Sequence, residues 1–130
     1  MVMDLRQFED PRFIKHLASR PVQAAPVRQA VEPAVAAVFG VPLRALRAAT
    51  RGSPRTAFAR QVAMYLAHVV LGLSLTEVGA IFARDRTTVA HACAMIEDER
   101  DDREFDARLD HLERAICSLV DALFARRSRP

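Results

Sequence analysis

Ser74-Leu75-Thr76-Glu77-Val78-Gly79-Ala80-Ile81-Phe82-Ala83-Arg84-Asp85-Arg86-Thr87-Thr88-Val89 is the stretch that decides the fold. Ser74 and Glu77 have the spacing of a capping box, in which the hydroxyl accepts from the Glu amide and the carboxylate reaches back. A short helix of about Leu75 to Phe82 follows, with Leu75, Val78 and Phe82 turned inward. Ala83-Arg84-Asp85 is a turn, and Asp85 caps a second helix that opens on Arg86-Thr87-Thr88. That helix runs to about Arg100 with Val89, Ala92, Cys93 and Ile96 as its buried stripe. Before the pair stands a longer helix, about Ala57 to Leu71, with Phe58, Val62, Tyr65, Leu66 and Val69 at helical spacing. A long helix, a short capped helix, a tight turn and another capped helix make the layout of a helix-turn-helix.

The rest of the chain reads as helices around that unit. A first helix of about Val27 to Phe39 places Val27, Val31, Val35 and Val38 on one face, with Pro33 in its opening turns and Gly40 as its stop. A short helix from Pro42 to Arg47 turns Leu43 and Leu46 inward. Residues 48–56 are expected as a loop containing Arg51 and Arg55. A last amphipathic helix of about Glu104 to Phe124 carries Phe105, Leu109, Leu112, Ile116, Leu119 and Leu123. The expectation is an all-α fold, a compact bundle of about six helices with a helix-turn-helix. Residues 1–26 form a partly ordered arm, 27–125 the helical domain and 126–130 a basic tail. The arm holds one apolar cluster, Phe8, Phe13, Ile14 and Leu17.

Composition agrees. Of 130 residues 51% are hydrophobic, too many for a disordered chain, and they are Ala, Leu and Val more than aromatic residues. Neither a membrane-spanning run nor an export signal is present, so the expected location is cytoplasmic and nucleoid-associated. Cys93 and Cys117 make no disulfide framework. The net charge of +3 conceals an asymmetry. Residues 28–96 hold eight arginines against three acids, whereas 97–121 hold ten acids against four arginines. A basic middle suits a polyanionic partner, and arginine suits bidentate contact with phosphate and guanine. The acidic run itself reads as a solvated helix end.

His91 and Cys93 stand two apart on a helix and face different ways, with His111 and Cys117 distant, so metal-ligand spacing is absent. No nucleophile with a neighbouring base and orienting acid is evident, and the expectation is a binding protein, not an enzyme, without cofactor or metal. In a helix-turn-helix the second helix enters the major groove N-terminus first. Base-reading side chains therefore belong in its first turn, where Arg86 can fork onto guanine and Thr87 and Thr88 offer hydroxyls and methyls. His91 lies off the apolar stripe, within reach of a phosphate or a base.

Several segments in register also resemble a known family. Gln61-Val62-Ala63-Met64-Tyr65-Leu66, Ser74 to Gly79, Phe82, Arg84-Asp85, Thr87-Thr88-Val89, His91-Ala92 and Ile96-Glu97 are similar to the C-terminal DNA-binding domain of the bacterial replication initiator DnaA. The likeness extends from about Val27 to Leu119 and is densest between Arg60 and Ile96. It implies a helical domain that reads an A/T-rich nonamer of double-stranded DNA. The turn and reading helix work in the major groove and an arginine-bearing loop in the neighbouring minor groove. Carried onto this chain, the turn and helix positions are Arg84, Asp85, Arg86, Thr87 and Thr88, with His91 beside them. The loop arginine is Arg51 or Arg55, and Arg60 matches an arginine suited to phosphate. Asp85 accepts from a cytosine or holds an arginine, besides capping.

Two departures bear on the target. The family's two glycines before Arg-Asp are represented by Ala83 alone, and the family's histidine in the Asp-His-Thr-Thr run is Arg86. The glycine-rich phosphate loop ending in Gly-Lys-Ser/Thr is absent, so no nucleotide partner is expected, and the reading is of an initiator's DNA-binding head standing alone. The function expected is sequence-specific double-stranded DNA binding that regulates replication initiation or transcription at initiator-box-like sites. The alternative is a protein-protein interaction module on the same helical fold. A homodimer or protein partner would dock through the arm or the last helix.

Overall fold

The computed structural model describes residues 24–127. The arm with Phe8, Phe13, Ile14 and Leu17, and residues 128–130, lie outside the described residues. Among the described residues six helices follow one another. In α1 a π-helical stretch, Val27–Val31, continues as an α-helix, Glu32–Phe39. Then come α2, Leu43–Arg47, α3, Pro54–Val69, α4, Leu75–Phe82, α5, Arg86–Glu99, and α6, Arg103–Arg127.

The axis of the bundle is α3. Ala59, Val62, Ala63, Met64, Tyr65, Leu66, Ala67 and Val69 are all buried, so its lower turns are covered nearly all round, not on one stripe. A helix apolar on every side belongs inside, and α3 accordingly packs against α1, α2, α4 and α5. It also begins a turn earlier than its apolar spacing suggests. Ser53 accepts from the Thr56 amide at 3.2 Å and Pro54 takes the first helical position, where a missing N–H costs nothing. Arg55 therefore sits on the first turn of α3, not in the loop.

Pro33 explains the irregular start of α1. An inward-running α-helix would ask it to donate to Gln29 and would press its ring on that carbonyl, so the turns before it widen to π geometry. Val27, Val31 and Val35 are fully buried as expected, but Val38 is 49% exposed. Its place is taken by Phe39, set edge-on to Phe58 at 5.7 Å, and Phe58 meets Phe105 of α6 at 5.6 Å. These rings tie α1, α3 and α6 together, each contact adding about 0.5–1.5 kcal/mol to plain burial. Gly40 then closes α1 in the left-handed conformation, φ 63°.

On α6 the inward stripe is Leu109, Leu112, Ile116 and Val120, with Phe105 and Leu123 packed at its ends. Val120 replaces the expected Leu119, which is 46% exposed. The stripe advances in steps of three or four residues, and Val120, four after Ile116, continues it as well as Leu119, three after it, would. On α5, Val89, Ala92, Cys93 and Ile96 are buried as their spacing requires. Burial pushes the Cys93 thiol up to about 12, with the charge of Glu97 adding to it, and the group is an inert core residue. No helix among the described residues is long and apolar enough to cross a membrane.

Candidate nucleic-acid interface

Two caps and a glycine place the reading helix. Ser74 accepts from the Glu77 amide at 3.1 Å while its own amide donates to Glu77 Oε1 at 2.9 Å, closing the capping box that starts α4. At the other end Ala83 adopts φ 54°, ψ 47°, and both Ala83 and Arg84 donate backbone N–H groups to the carbonyl of Gly79. The turn folds back so tightly that a Cβ on Gly79 would strike the Arg84 carbonyl. Asp85 Oδ1 then accepts from the Thr88 amide at 2.8 Å and opens α5. That backbone bond, with a smaller contribution from the Thr88 side chain, holds the Asp85 carboxyl below the usual carboxylate range. Its capping contribution is thus complete at neutral pH and fades only as pH falls through the lowered value.

With the caps satisfied within the chain, the first turn of α5 is free to face outward. Asp85, Arg86, Thr87 and Thr88 are all exposed, and His91 is exposed one turn further on. Between and beyond them Ala90 and Ala94 are half-buried and small. The strip therefore has long polar groups at the helix tip and low relief behind, a shape that lets the helix axis come close to another surface. The partial positive charge of the helix N-terminus adds to Arg86. Arg51 and Arg55 are also exposed.

Arg60 departs from the phosphate contact expected of it. It is only 4% exposed, and its guanidinium donates to the carbonyls of Ala45, Leu46 and Arg51 at 2.7, 3.0 and 3.0 Å. Desolvation by burial, and then the charge of Arg84, lower its pKa. The sequence held a signal for this: Thr56, Arg60, Ala63 and Ala67 recur at helical spacing, and all four are buried. Arg84 is half-buried, with Nη1 donating to Phe82 at 2.8 Å and Nη2 to Ala48 at 3.3 Å. The link from Arg84 to Ala48 joins the helix-turn-helix to the segment after α2, and no spacing pattern announced it.

The sequence that builds this geometry has relatives. A sequence profile described as the bacterial DnaA protein helix-turn-helix matches residues 29–96. The chain belongs to the bacterial DnaA helix-turn-helix family. Among its relatives, chromosomal replication initiator protein DnaA 1 of Protochlamydia amoebophila is 42% identical over 81 residues, 62% of this chain and 18% of that protein. DnaA 2 of Chlamydia trachomatis is 36% identical over 84 residues, 65% of this chain and 18% of the relative. DnaA of a Thermoanaerobacter strain is 30% identical over 104 residues, 79% of this chain and 23% of the relative. The chain thus spans about a fifth of the length of the relatives it matches.

Ala83 carries a cost visible in its φ of 54°. A Cβ in the left-handed region costs roughly 1–2 kcal/mol, part of which glycine would give back through a more flexible unfolded chain. Ala83→Gly is therefore expected to raise stability by about 0.5–1 kcal/mol in urea unfolding. A loss of stability would mean that the turn carries no strain at this residue.

Proposed function

We propose that the chain binds double-stranded DNA in a sequence-specific manner, with the first turn of α5 in the major groove, and that it acts in replication initiation or transcription at initiator-box-like sites. The observation that carries this reading is the exposed Arg86-Thr87-Thr88 tip of a capped helix in the basic stretch of the sequence. Arg86 is the principal base reader, matched to the O6 and N7 of a guanine. Thr87 and Thr88 contact base edges or the adjacent phosphate, and His91 reaches the backbone or a base farther along. Asp85 orients the tip, and the exposed Arg51 and Arg55 are the side chains offered to the neighbouring groove or its phosphates. Arg86 in place of the family histidine is a permanent charge with a longer reach, which shifts preference toward guanine at the position it reads.

Fluorescence titration of duplexes with and without an A/T-rich nonamer, at several salt concentrations, tests the proposal. Nonamer duplexes should bind more tightly, and affinity should fall steeply with salt. Arg86→Ala should weaken the preferred duplex by about 10- to 100-fold, the effect of one bidentate base contact, while changing affinity for unrelated duplexes far less. Equal affinity for every sequence, or binding indifferent to salt, would refute the reading.

A further inference from the structure

The basic stretch of the sequence contains two arginines that are turned toward the protein. Arg60, rooted in α3, donates to the carbonyls of Ala45, Leu46 and Arg51. Arg84, rooted in the turn before α5, donates to the carbonyl of Ala48 as well as to Phe82 and, at 3.4 Å, Ala83. Four carbonyls within residues 45–51 are thereby held from two sides. Ala45 to Arg47 belong to α2 and are anchored also by buried Leu46 and the Arg47–Glu32 ion pair, but little else holds residues 48–51. No residue from 47 to 55 is buried, so hydrophobic packing contributes almost nothing to their placement. A segment with so few apolar contacts would ordinarily open at low free-energy cost. Both guanidinium groups are positive, and the charge of Arg84 adds to burial in lowering the pKa of Arg60. Such a like-charged arrangement is sustained by the carbonyl dipoles between them.

We infer that Arg60 and Arg84 are positioning residues, a two-guanidinium clasp that fixes residues 48–51 relative to α2 and the tip of α5, so that Arg51 and Arg86 meet DNA as one rigid unit. The inference rests on the proposed DNA binding. It separates the two candidate loop arginines. Arg51 is the one whose own carbonyl lies in the clasp, whereas Arg55 takes its place from α3. It also reassigns Arg84, whose charge serves the protein's backbone and not a phosphate. The gain is pre-organisation: a loop already fixed loses less freedom when it is seated on a ligand.

The experiment uses the tightest duplex recovered from a random pool, titrated against the wild type, Arg84→Ala, Arg84→Lys, Arg51→Ala and the Arg51→Ala/Arg84→Ala double variant. Both Arg84 variants should lose about 10-fold or more in affinity while keeping the wild-type salt slope, because no phosphate contact disappears. Lysine keeps the charge but lacks the planar fork, so it should not rescue. Arg51→Ala should cost about 10-fold alone and little in the Arg84→Ala background, the non-additivity of residues acting together. Wild-type affinity in Arg84→Lys, a salt slope smaller by about one in Arg84→Ala, or additive losses would overturn the clasp. If the wild type itself shows no salt-sensitive binding, DNA reading fails, and the clasp is judged on the free protein by ¹⁵N relaxation. Order parameters at residues 48–52 should drop from about 0.85 toward 0.6 in Arg84→Lys, and unchanged values would overturn it. Thermal melts of every variant separate these effects from loss of fold.

Discussion

Arg100→Ala is expected to destabilise the domain by about 3 kcal/mol. Arg100 follows α5 directly, and its side chain is 17% exposed. Its guanidinium meets Asp106 and Asp110 at 2.5 Å and Glu113 at 2.6 Å, and donates to the Tyr65 hydroxyl at 3.1 Å. Tyr65 in turn donates to Glu97 at 2.8 Å. Burial alone would lower the pKa of Arg100, but the hydrogen bond to Asp106 and the charges beside it, Glu113 included, outweigh burial and raise it. Burial likewise raises the Tyr65 pKa, so the phenol remains a donor. One cation therefore joins α3, α5 and α6 at the corner where the sequence turns acidic. Without it, three carboxylates of α6 and Glu97 of α5 crowd together with their shared counter-charge gone.

The size of the effect depends on which acids can reach water. Asp106 and Asp110 are 41% and 50% exposed and rehydrate readily, whereas Glu113 is 13% exposed. This holds the expected loss near the lower end of the range of about 3–5 kcal/mol for breaking a buried pair. In a domain of this size it corresponds to a fall in Tm of roughly 15 °C. Arg100→Lys should recover only a minor part, since a point charge cannot fork among three carboxylates. Urea unfolding decides it, and a loss under about 1 kcal/mol would reduce the network to an ordinary surface contact.

Legibility followed the range of the interaction. The capping box at Ser74 and Glu77, the Asp85 cap and the stripe Val89, Ala92, Cys93 and Ile96 all depend on neighbours within four residues, and each stands in the structure as spacing indicates. Inward faces were less certain at helix ends. Val38 and Leu119 fit their stripes by angle, but Phe39 and Val120 take those places, chosen by ring stacking and by neighbours on other helices. The start of α3 was written locally, in Ser53-Pro54, and was obscured by the loop-like composition of residues 50–55. The acidic run looked like a solvated helix end, and Arg100 gathering Asp106, Asp110 and Glu113 depends on where α6 folds back. At the candidate site the outward tip of α5 was readable from periodicity. The destinations of Arg60 and Arg84 were not, since Arg60 ends on carbonyls nine to fifteen residues away and Arg84, besides its neighbours Phe82 and Ala83, on one 36 residues away.

Gly79→Ala sets two local forces against each other. In a helix interior alanine is better than glycine by about 1 kcal/mol, so propensity alone makes the substitution stabilising. Sterics say otherwise, because the new Cβ would fall on the Arg84 carbonyl and within 3.5 Å of the Asp85 carbonyl carbon. Neither obstacle is the end of a flexible side chain. Arg84 is tied back by its amide to Gly79 at 2.9 Å, and Asp85 is committed to capping α5. Relief requires the whole turn to move away from α4, in a core where forced shifts cost about 1–3 kcal/mol beyond any local gain. The expected net result is a loss of about 2 kcal/mol. The movement has a second consequence. The displaced turn carries both the first turn of α5 and Arg84, hence the link to Ala48. Affinity for the preferred duplex should therefore fall about 10-fold or more even at temperatures where the variant is fully folded, since about an ångström of misplacement is enough to spoil directed contacts. Circular-dichroism melts paired with titrations at low temperature separate the two losses. A variant as stable as the wild type, binding as tightly, would show that the close approach of α4 to the turn is not what aims the reading helix.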